Sequence, residues 1–187
     1  MKVLLHICCG PCSIYPIHFL RELDEFITDQ ADVTGYFYNP NIHPYKEFKR
    51  RLTTAREYLQ KIKLNFIVDD TYDLPLFLTG ALTAEPSRCH FCYEMRLRKA
   101  AQVAKEKGFD AFTTSLLVSP FQKHELIKEI GERIAEEEGL LFHYIDFRPG
   151  WDDGVAESLE LELYRQPYCG CIFSEQERYQ KKKKVKA

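Results

Sequence analysis

The sequence lacks any hydrophobic run long enough to cross a membrane as a helix. Its first ten residues, MKVLLHICCG, are interrupted too early for a secretory signal, so we expect a cytoplasmic protein with no membrane partner. No G-x-G-x-x-G fingerprint is present, which argues against a flavin or nicotinamide cofactor. The formal net charge is only −2, so no overall excess of positive charge indicates nucleic-acid binding.

What the sequence does contain is a regular alternation of strand and helix patterns. Strands are predicted over residues 2–7, 33–38, 64–70, 110–117 and 140–147. Helices are predicted over residues 14–28, 45–63, 92–107, 120–138, 154–165 and 175–183, with capping boxes at Ser119 and Ser174. This order predicts an α/β fold, a single domain whose doubly wound parallel sheet has helices on both faces.

Three polar or cysteine-containing segments follow predicted strands. CCGPC comes after the first strand, YNPNIHP after the second and SLLVSP after the fourth. Because ligands of such sheets bind beyond the carboxyl ends of the strands, we expect the functional site at this rim.

Cysteine is abundant and unevenly placed. The seven cysteines are Cys8, Cys9, Cys12, Cys89, Cys92, Cys169 and Cys171. An odd number argues against a closed set of disulfides, and clustered thiols in a reducing compartment typically bind metal or perform redox chemistry. We therefore interpret all seven as candidate metal ligands.

Zinc and iron–sulfur are both compatible with several thiolates. Structural zinc usually stabilises a small or irregular domain, whereas this chain has enough apolar residues for a full core. Ligands spread from residue 8 to residue 171 indicate a centre assembled at the rim of the fold. These points favour redox-active iron, as a [4Fe–4S] cluster, over zinc.

The spacing of the cysteines suggests how they divide. Adjacent residues of an extended segment point in opposite directions, so Cys8 and Cys9 are not expected to serve one corner of a cluster. Our hypothesis is that Cys89 and Cys92 bind the cluster with one thiolate of the N-terminal group and one of Cys169-x-Cys171. The other three would hold an additional mononuclear iron or act as a redox thiol pair, which makes Cys8 and Cys9 the catalytic candidates.

Five motifs together resemble the cobalamin-independent epoxyqueuosine reductases, the QueH family. They are HICCGPCS, YNPNIHPYKEFKRR, RCHFCYEMRLRKAA, FTTSLLVSPFQ and LYRQPYCGCIFS, and the match extends from about residue 3 to residue 175. The resemblance implies removal of the epoxide oxygen of epoxyqueuosine at the wobble base of tRNA. It also implies an iron–sulfur cluster instead of cobalamin, and all seven cysteines fall on cysteine positions of the family.

The resemblance further implies a fold like that of the ATP-dependent tRNA-modifying enzymes, the pyrophosphate-loop Rossmann fold of adenine-nucleotide hydrolases. Those relatives carry a Ser-Gly-Gly-x-Asp-Ser loop after the first strand. CCGPCS has one glycine and a proline there, too few available amides to bind a pyrophosphate, so we expect no ATP. Removal of the epoxide oxygen takes two electrons. Because the sequence has no flavin or nicotinamide fingerprint, we expect them to come from an external one-electron donor, such as a ferredoxin- or flavodoxin-like protein.

The segment after the second strand is the candidate substrate site. Turn formation alone could explain Asn-Pro-Asn, and stacking and hydrogen bonding to an RNA base is the alternative. The following helix carries basic residues that could contact phosphate or lie on an ordinary exposed face. The predicted substrate-binding residues are Asn39, Asn41, His43, Tyr45 and Arg51.

Positive charge is concentrated at the C-terminus, in QKKKKVKA. Such a run is typical of a solvated tail, and contact with phosphate is the alternative. We divide the chain into an iron–sulfur α/β catalytic domain over residues 1–176 and a basic tail over residues 177–187. Two rival functions remain open at this point: an iron–sulfur disulfide or heterodisulfide reductase, and a non-catalytic zinc-bound RNA-binding module.

Overall fold

Five parallel strands form the centre of the molecule in the computed structural model, which describes residues 1–26 and 32–180. The strands are β1 (Lys2–His6), β2 (Asp32–Phe37), β3 (Phe66–Val68), β4 (Ala111–Thr114) and β5 (Leu141–Phe142). Their order across the sheet is β3-β2-β1-β4-β5, and every neighbouring pair is parallel. The α/β class predicted from the sequence is confirmed.

Helices connect the strands and cover both faces of the sheet. They are α1 (Gly10–Phe26), α2 (Tyr45–Lys61), α3 (Leu74–Thr83), α4 (Arg88–Glu106), α5 (His124–Glu138), α6 (Trp151–Glu160) and α7 (Ile172–Tyr179). Helix α1 packs against α2 and α6, whereas α4 packs against α3 and α5. Right-handed crossovers place these two sets on opposite faces, as a doubly wound sheet requires.

The hydrophobic pattern explains why β1 lies at the centre. Val3, Leu4 and Leu5 are fully buried, as expected for a strand covered on both faces. In the neighbouring strand, a Cβ on Gly35 would come within 2.8 Å of Ile7 Cδ1 and 3.2 Å of Leu59 Cδ1. The glycine therefore allows α2 to pack closely on the sheet.

The strand order changes direction between β1 and β4. Chain connections run from β1 to β2 and β3 on one side, and from β4 to β5 on the other. A crevice forms at such a switch point, beyond the carboxyl ends of the two strands. The segments that enter it are residues 7–12 and the 3₁₀ helix Ser115–Val118.

Several predicted boundaries are wrong. Helix α1 begins at Gly10 and not at residue 14, and α4 begins at Arg88 with Ser87 Oγ accepting a hydrogen bond from His90 N at 3.3 Å. The capping box at Ser119 is also wrong, because this hydroxyl accepts from Phe121 N in a local turn and the helix begins only at His124.

The capping box predicted at Ser174 is wrong for a different reason. Helix α7 already begins at Ile172, and Ser174 Oγ donates to Cys171 O at 2.7 Å from within its first turn. Residues 27 and 28 of the first predicted helix and the lysine run 181–187 lie outside the described residues.

Helix α3 was not predicted at all. Its sequence, LPLFLTGALT, is apolar nearly all round, so it shows no amphipathic period. Among the helices that the structure describes, none combines the length and the hydropathy needed to cross a membrane.

Candidate metal centre

Three thiols converge where β1 leads into α1, with Cys8 and Cys9 in the connection and Cys12 in the first turn of the helix. Cys8, Cys9 and Cys12 are buried, and their Sγ atoms all lie within 4.8 Å of one another. The Sγ atoms of Cys8 and Cys9 are 3.8 Å apart. The expectation that these two side chains point in opposite directions is therefore wrong, because the chain bends at Cys8 after the strand has ended at His6. We call these three residues the N-terminal triad.

Neighbouring segments hold this connection in place. Ser115, which follows β4, accepts a hydrogen bond from Cys8 N at 3.2 Å through its Oγ. Asn39, which follows β2, donates from Nδ2 to Ile7 O at 2.9 Å. Both contacts come from the carboxyl ends of the strands beside β1, so the sheet itself positions the N-terminal triad.

The three thiols of the triad differ in acidity. Hydrogen bonds from Cys12 and Cys9, together with one from Ser115, lower the pKa of Cys8 well below its usual value. Burial raises the pKa of Cys9, and the hydrogen bond that Cys12 makes to Cys8 raises the pKa of Cys12.

The other four cysteines come from two distant parts of the chain. Cys89 and Cys92 lie in the first turns of α4, while Cys169 and Cys171 immediately precede α7. Cys92 and Cys171 are buried in one apolar cluster, whose wall is formed by Phe77 of helix α3. We call these four residues the C-terminal group.

The thiols of the C-terminal group influence one another's charge. Burial, together with the neighbouring charges of Cys169, Cys171 and Cys89, raises the pKa of Cys92 to about 12, although the charge of Arg96 opposes the shift. Burial likewise raises the pKa of Cys171. A site that holds several thiolates here needs added positive charge, which a metal supplies.

Gly170, the residue between Cys169 and Cys171, adopts a φ of +116°. A Cβ there would lie 2.9 Å from Ile42 Cγ1 and 3.0 Å from Arg51 Nη1. Both the backbone conformation and the available space therefore require glycine. Its carbonyl oxygen also accepts a hydrogen bond from His43 N at 2.8 Å.

Arg51 holds the loop that carries Cys169. It is 1 % exposed, and it donates to Tyr168 O at 2.9 Å and to Cys169 O at 3.1 Å. Its Nε forms an ion pair with Glu47 at 2.6 Å. The charges of Cys9 and Cys8 also act on this guanidinium, so it lies between the N-terminal triad and the C-terminal group.

A second buried cation, Arg96, lies between the same two sets of cysteines. It is 3 % exposed, and its Nε donates to Cys92 O at 3.1 Å. The charges of Cys92 and Cys8 act on it. None of the ion pairs formed within residues 1–26 and 32–180 includes Arg96. A buried charge is costly without a counter-charge, so an anionic group bound by the cysteines would stabilise Arg96.

The predicted substrate-binding residues are mostly buried beside the cysteines. Asn39, Asn41, His43 and Arg51 are at most 2 % exposed, whereas Tyr45 is 52 % exposed. His43 packs against Phe77 with ring centroids 5.0 Å apart, and burial lowers its pKa to about 4. These positions support the walls around the cysteines, and substrate binding by the five residues stays a prediction.

Comparison with known proteins now identifies the family. A model described as epoxyqueuosine reductase QueH matches residues 3–177 of the chain. The chain belongs to the QueH family. A relative from Dehalococcoides mccartyi, described as epoxyqueuosine reductase QueH, is 36 % identical over 180 residues, covering 96 % of both chains. One from Thermotoga maritima with the same description is 34 % identical over 192 residues, covering 96 % of this chain and 93 % of the relative.

Membership of the QueH family makes the chain an oxidoreductase, which confirms the resemblance seen in its motifs. It also removes the non-catalytic zinc-bound RNA-binding module from the candidate functions. Among solved structures, the U34-tRNA thiolase NcsA from Methanococcus maripaludis with its [4Fe-4S] cluster is similar at a TM-score of 0.47 and 16 % identity. That similarity covers 100 % of this chain and 75 % of the thiolase, and it supports no conclusion about ligand or reaction.

The residues of this QueH-family chain fit an iron–sulfur group. The three triad thiols converge at the rim of the sheet, and Cys92 and Cys171 are buried in one apolar cluster. Soft thiolate donors are the ligands that iron–sulfur clusters use. The two buried arginines supply the positive charge that such an anionic centre requires. The three triad thiols converge, Cys92 and Cys171 share a second apolar cluster, and Cys89 packs against the cluster that contains the triad. The division predicted from spacing therefore stays a prediction.

A surface cleft was not predicted from the sequence. Trp151, Arg165 and Gln166 line it together with Cys12. Gln166 Nε2 lies 3.0 Å from Cys12 Sγ. The only signal for this cleft in the sequence is that Arg165 and Gln166 directly precede the PYCGC motif, and side chains of these types are too common in loops to be singled out.

Proposed function

We propose that this chain reduces epoxyqueuosine in tRNA to queuosine. The reaction takes up two electrons and two protons, breaks both C–O bonds of the epoxide, forms the ring double bond and releases the oxygen as water. The observation that carries the proposal is the convergence of three buried thiols, Cys8, Cys9 and Cys12, within 4.8 Å of one another in a QueH-family chain. Such a set of soft donors is typical of a metal centre.

We propose further that the seven thiols hold a [4Fe–4S] cluster and one additional mononuclear iron. When bound, these groups supply one-electron transfer and a Lewis acid for the epoxide oxygen. In one grouping, the C-terminal group of four holds the cluster and the N-terminal triad holds the single iron. The earlier hypothesis instead gives the cluster Cys89, Cys92, one triad thiolate and one thiolate of Cys169-x-Cys171.

The chain's own residues contribute burial and charge. Cys8, Cys9 and Cys12 are at most 8 % exposed, so bulk water is largely excluded from the triad. Low exposure also strengthens the interaction of Arg51 and Arg96 with negative charge that arrives with the electrons. Cys8 and Cys9 remain the catalytic candidates, since they lie closest to the end of the central strand.

The reaction requires two partners. One is tRNA carrying epoxyqueuosine at the wobble position, and the other is an external one-electron donor of the ferredoxin or flavodoxin type. Both occur in the cytoplasm, where we propose that the protein acts, without ATP or cobalamin.

The decisive experiment purifies the protein without oxygen, counts iron and sulfide, and supplies epoxyqueuosine-containing tRNA with a low-potential one-electron reductant. We expect iron and sulfide in the protein, and queuosine in the digested tRNA. A colourless protein without iron, or an iron-loaded protein that leaves the epoxide intact, would contradict the proposal.

Single cysteine variants distinguish the two groupings. With the grouping of three and four, Cys12→Ala keeps four sulfides and loses only the additional iron, whereas Cys89→Ala loses the cluster. If Cys8→Ala, Cys9→Ala or Cys12→Ala removes the cluster sulfides, a triad thiolate is a cluster ligand and the earlier hypothesis is favoured. Thr83→Ala, on the exposed side of α3, is the control that keeps both metals.

A disulfide reductase is the second candidate, because Cys8 and Cys9 have Sγ atoms only 3.8 Å apart. Such a pair could exchange with a substrate disulfide. The same iron-loaded protein should then reduce a disulfide faster than it reduces the modified tRNA. We expect the opposite order.

A further inference from the structure

The cleft that reaches Cys12 has the features of a substrate entrance. It lies between the start of α1, the end of the 3₁₀ helix Ser115–Val118, and α6 with the loop that follows. Its enclosed volume is only about 40 Å³, and the rest of the cleft is open to solvent. It therefore has room at its floor for a small polar group, while the rest of a ligand would lie in the open part.

The floor of the cleft is connected to the N-terminal triad. Cys12, one of its lining residues, is itself part of the triad, and Gln166 Nε2 lies 3.0 Å from Cys12 Sγ. The other end of the same amide, Gln166 Oε1, is buried and has no hydrogen-bond partner among the described residues. A buried acceptor of this kind is costly unless a ligand or water donates to it. A hydroxyl group entering the cleft would satisfy it.

The rim of the cleft offers surfaces that suit a nucleotide. Trp151 lines the cleft and contacts Phe121 edge to face, with ring centroids 6.0 Å apart. Phe121 is 83 % exposed, an unusual position for a large apolar ring. Arg165 also lines the cleft and is exposed. Aromatic rings stack on unpaired bases, and arginine binds phosphate, which are the two contacts that single-stranded RNA provides.

We propose that this cleft admits the hydroxylated epoxide substituent of the modified base, with Gln166 at its floor and Trp151 against the nucleobase or its neighbour. The inference rests on the proposed function, because it takes the epoxide-bearing ring as the occupant. It places substrate entry on the α6 side of the triad and not at the segment 39–45 that the sequence suggested. Gln166 is then a substrate-binding residue that accepts a hydrogen bond from a ring hydroxyl.

The chain provides its own probe, since Trp151 is its only tryptophan. The probe ligand is an anticodon stem-loop carrying epoxyqueuosine, and the comparison ligand is the same stem-loop with guanine in its place. We expect the modified stem-loop to quench Trp151 fluorescence in a saturable way and at a concentration at least about 10-fold lower than the guanine stem-loop.

A matched pair of variants blocks the cleft without adding a tryptophan. Val155→Phe enlarges a side chain that lines the cleft, while Leu159→Phe makes a similar change one turn further along α6, at a position 60 % exposed and outside the lining. In Val155→Phe we expect loss of the quenching and a fall in kcat/KM of about 10-fold or more with the modified stem-loop. Leu159→Phe should behave like the wild type.

The outcomes separate this inference from the proposed reaction. Turnover of the modified stem-loop without any change in Trp151 fluorescence would overturn the cleft assignment and leave the reaction supported. Unchanged kcat/KM in a folded Val155→Phe would do the same. Quenching by the modified stem-loop in an iron-loaded enzyme that leaves the epoxide intact would instead contradict the reaction and support the cleft. The fluorescence test on the wild type needs no variant to fold.

Discussion

The cysteines of the N-terminal triad are close together in sequence, whereas those of the C-terminal group come from two distant segments. The triad is assembled within five residues where β1 leads into α1, so its sulfur atoms approach one another wherever that connection forms. The C-terminal group joins the start of α4 to the start of α7, with about 80 residues of chain between them. A local centre depends on that connection, whereas a distant one depends on every contact that keeps the two helices together.

This difference indicates which substitutions should most easily disturb the arrangement of the cysteines. Specific contacts hold the Cys169-x-Cys171 segment: Arg51 donates to the carbonyl oxygens of Tyr168 and Cys169, and His43 N donates to Gly170 O. The ion pair of Arg88 with Glu177 joins α4 to α7. We therefore expect changes in these contacts to affect the C-terminal group before the triad. The predictions below test that expectation from the largest effect to the smallest.

Arg51→Met should have the largest effect. It removes two hydrogen bonds to the loop of Cys169 and leaves Glu47, whose other oxygen accepts from Tyr164 OH at 2.7 Å, without its cation. Breaking a buried pair in this way costs about 3–5 kcal/mol of unfolding free energy. Denaturant unfolding of the metal-free protein measures it, with the exposed Lys49→Met as control. A loss below about 1 kcal/mol would show that the loop does not depend on Arg51.

Arg96→Met should stabilise the metal-free protein but weaken its binding of iron. In the metal-free protein it removes a buried charge, so we expect the unfolding free energy to rise by about 1 kcal/mol or more. In the loaded protein it removes the counter-charge of the thiolates, and the affinity for iron should fall about 10- to 100-fold.

The two measurements for Arg96 are denaturant unfolding without metal and iron retention against a chelator. Arg96→Lys should retain iron better than Arg96→Met, while Lys99→Met, an exposed change on the same helix, should alter neither quantity. If Arg96→Met lowered the unfolding free energy of the metal-free protein, or left iron retention unchanged, Arg96 would not act as a counter-charge.

His43, whose backbone N–H donates to Gly170 O, should make the unfolding free energy depend on pH. Burial lowers its pKa from 6.5 to about 4, so the unfolded chain binds a proton between these values and the folded chain does not. Its contribution to stability is complete above pH 6.5 and is lost as the pH falls to about 4. Between pH 7 and pH 5 the loss is about 2 kcal/mol.

The measurement for His43 is the difference in unfolding free energy between the two pH values. His43→Phe, which keeps an aromatic ring against Phe77, should show a smaller loss than the wild type by about that amount. An equal loss in His43→Phe and wild type would show that another group is responsible.

The smallest effect is expected at the ion pair of Arg88 with Glu177, which joins α4 to α7. Its side chains are 35 % and 61 % exposed, so solvent screens the interaction. A double-mutant cycle with Arg88→Met and Glu177→Gln should give a coupling of about 0.2–1 kcal/mol, smaller at high salt. A coupling of zero would leave the packing of Cys92 and Cys171 as the main connection between the two helices.

Much of the architecture could be predicted from the sequence because it depends on local pattern. The apolar run of β1 and the amphipathic period of α2 each specify their element independently of the rest of the fold. The C-x-x-C spacing at the start of a helix likewise brings Cys89 and Cys92 to one helix end. Family membership followed from five such motifs taken together.

The remainder depends on contacts between distant segments. The direction of the Cys8 and Cys9 side chains was wrong because it assumed an extended strand where the chain bends. Helix α3, which covers Cys92 and Cys171, lacks an amphipathic period because it is apolar on nearly every side. The burial of Arg96 was beyond prediction, since an arginine in a helix is normally exposed and only the assembled fold encloses this one.

The parallel arrangement of the strands has a practical consequence for handling the enzyme. Every reactive sulfur lies at the carboxyl edge, so the opposite edge, where Gly108 and Gly139 end α4 and α5 in left-handed turns, is remote from the chemistry. A Cβ at either glycine would have nothing within 4 Å. A surface tether or a reporter group attached near these turns would therefore leave the cysteines and the cleft beside Cys12 unobstructed.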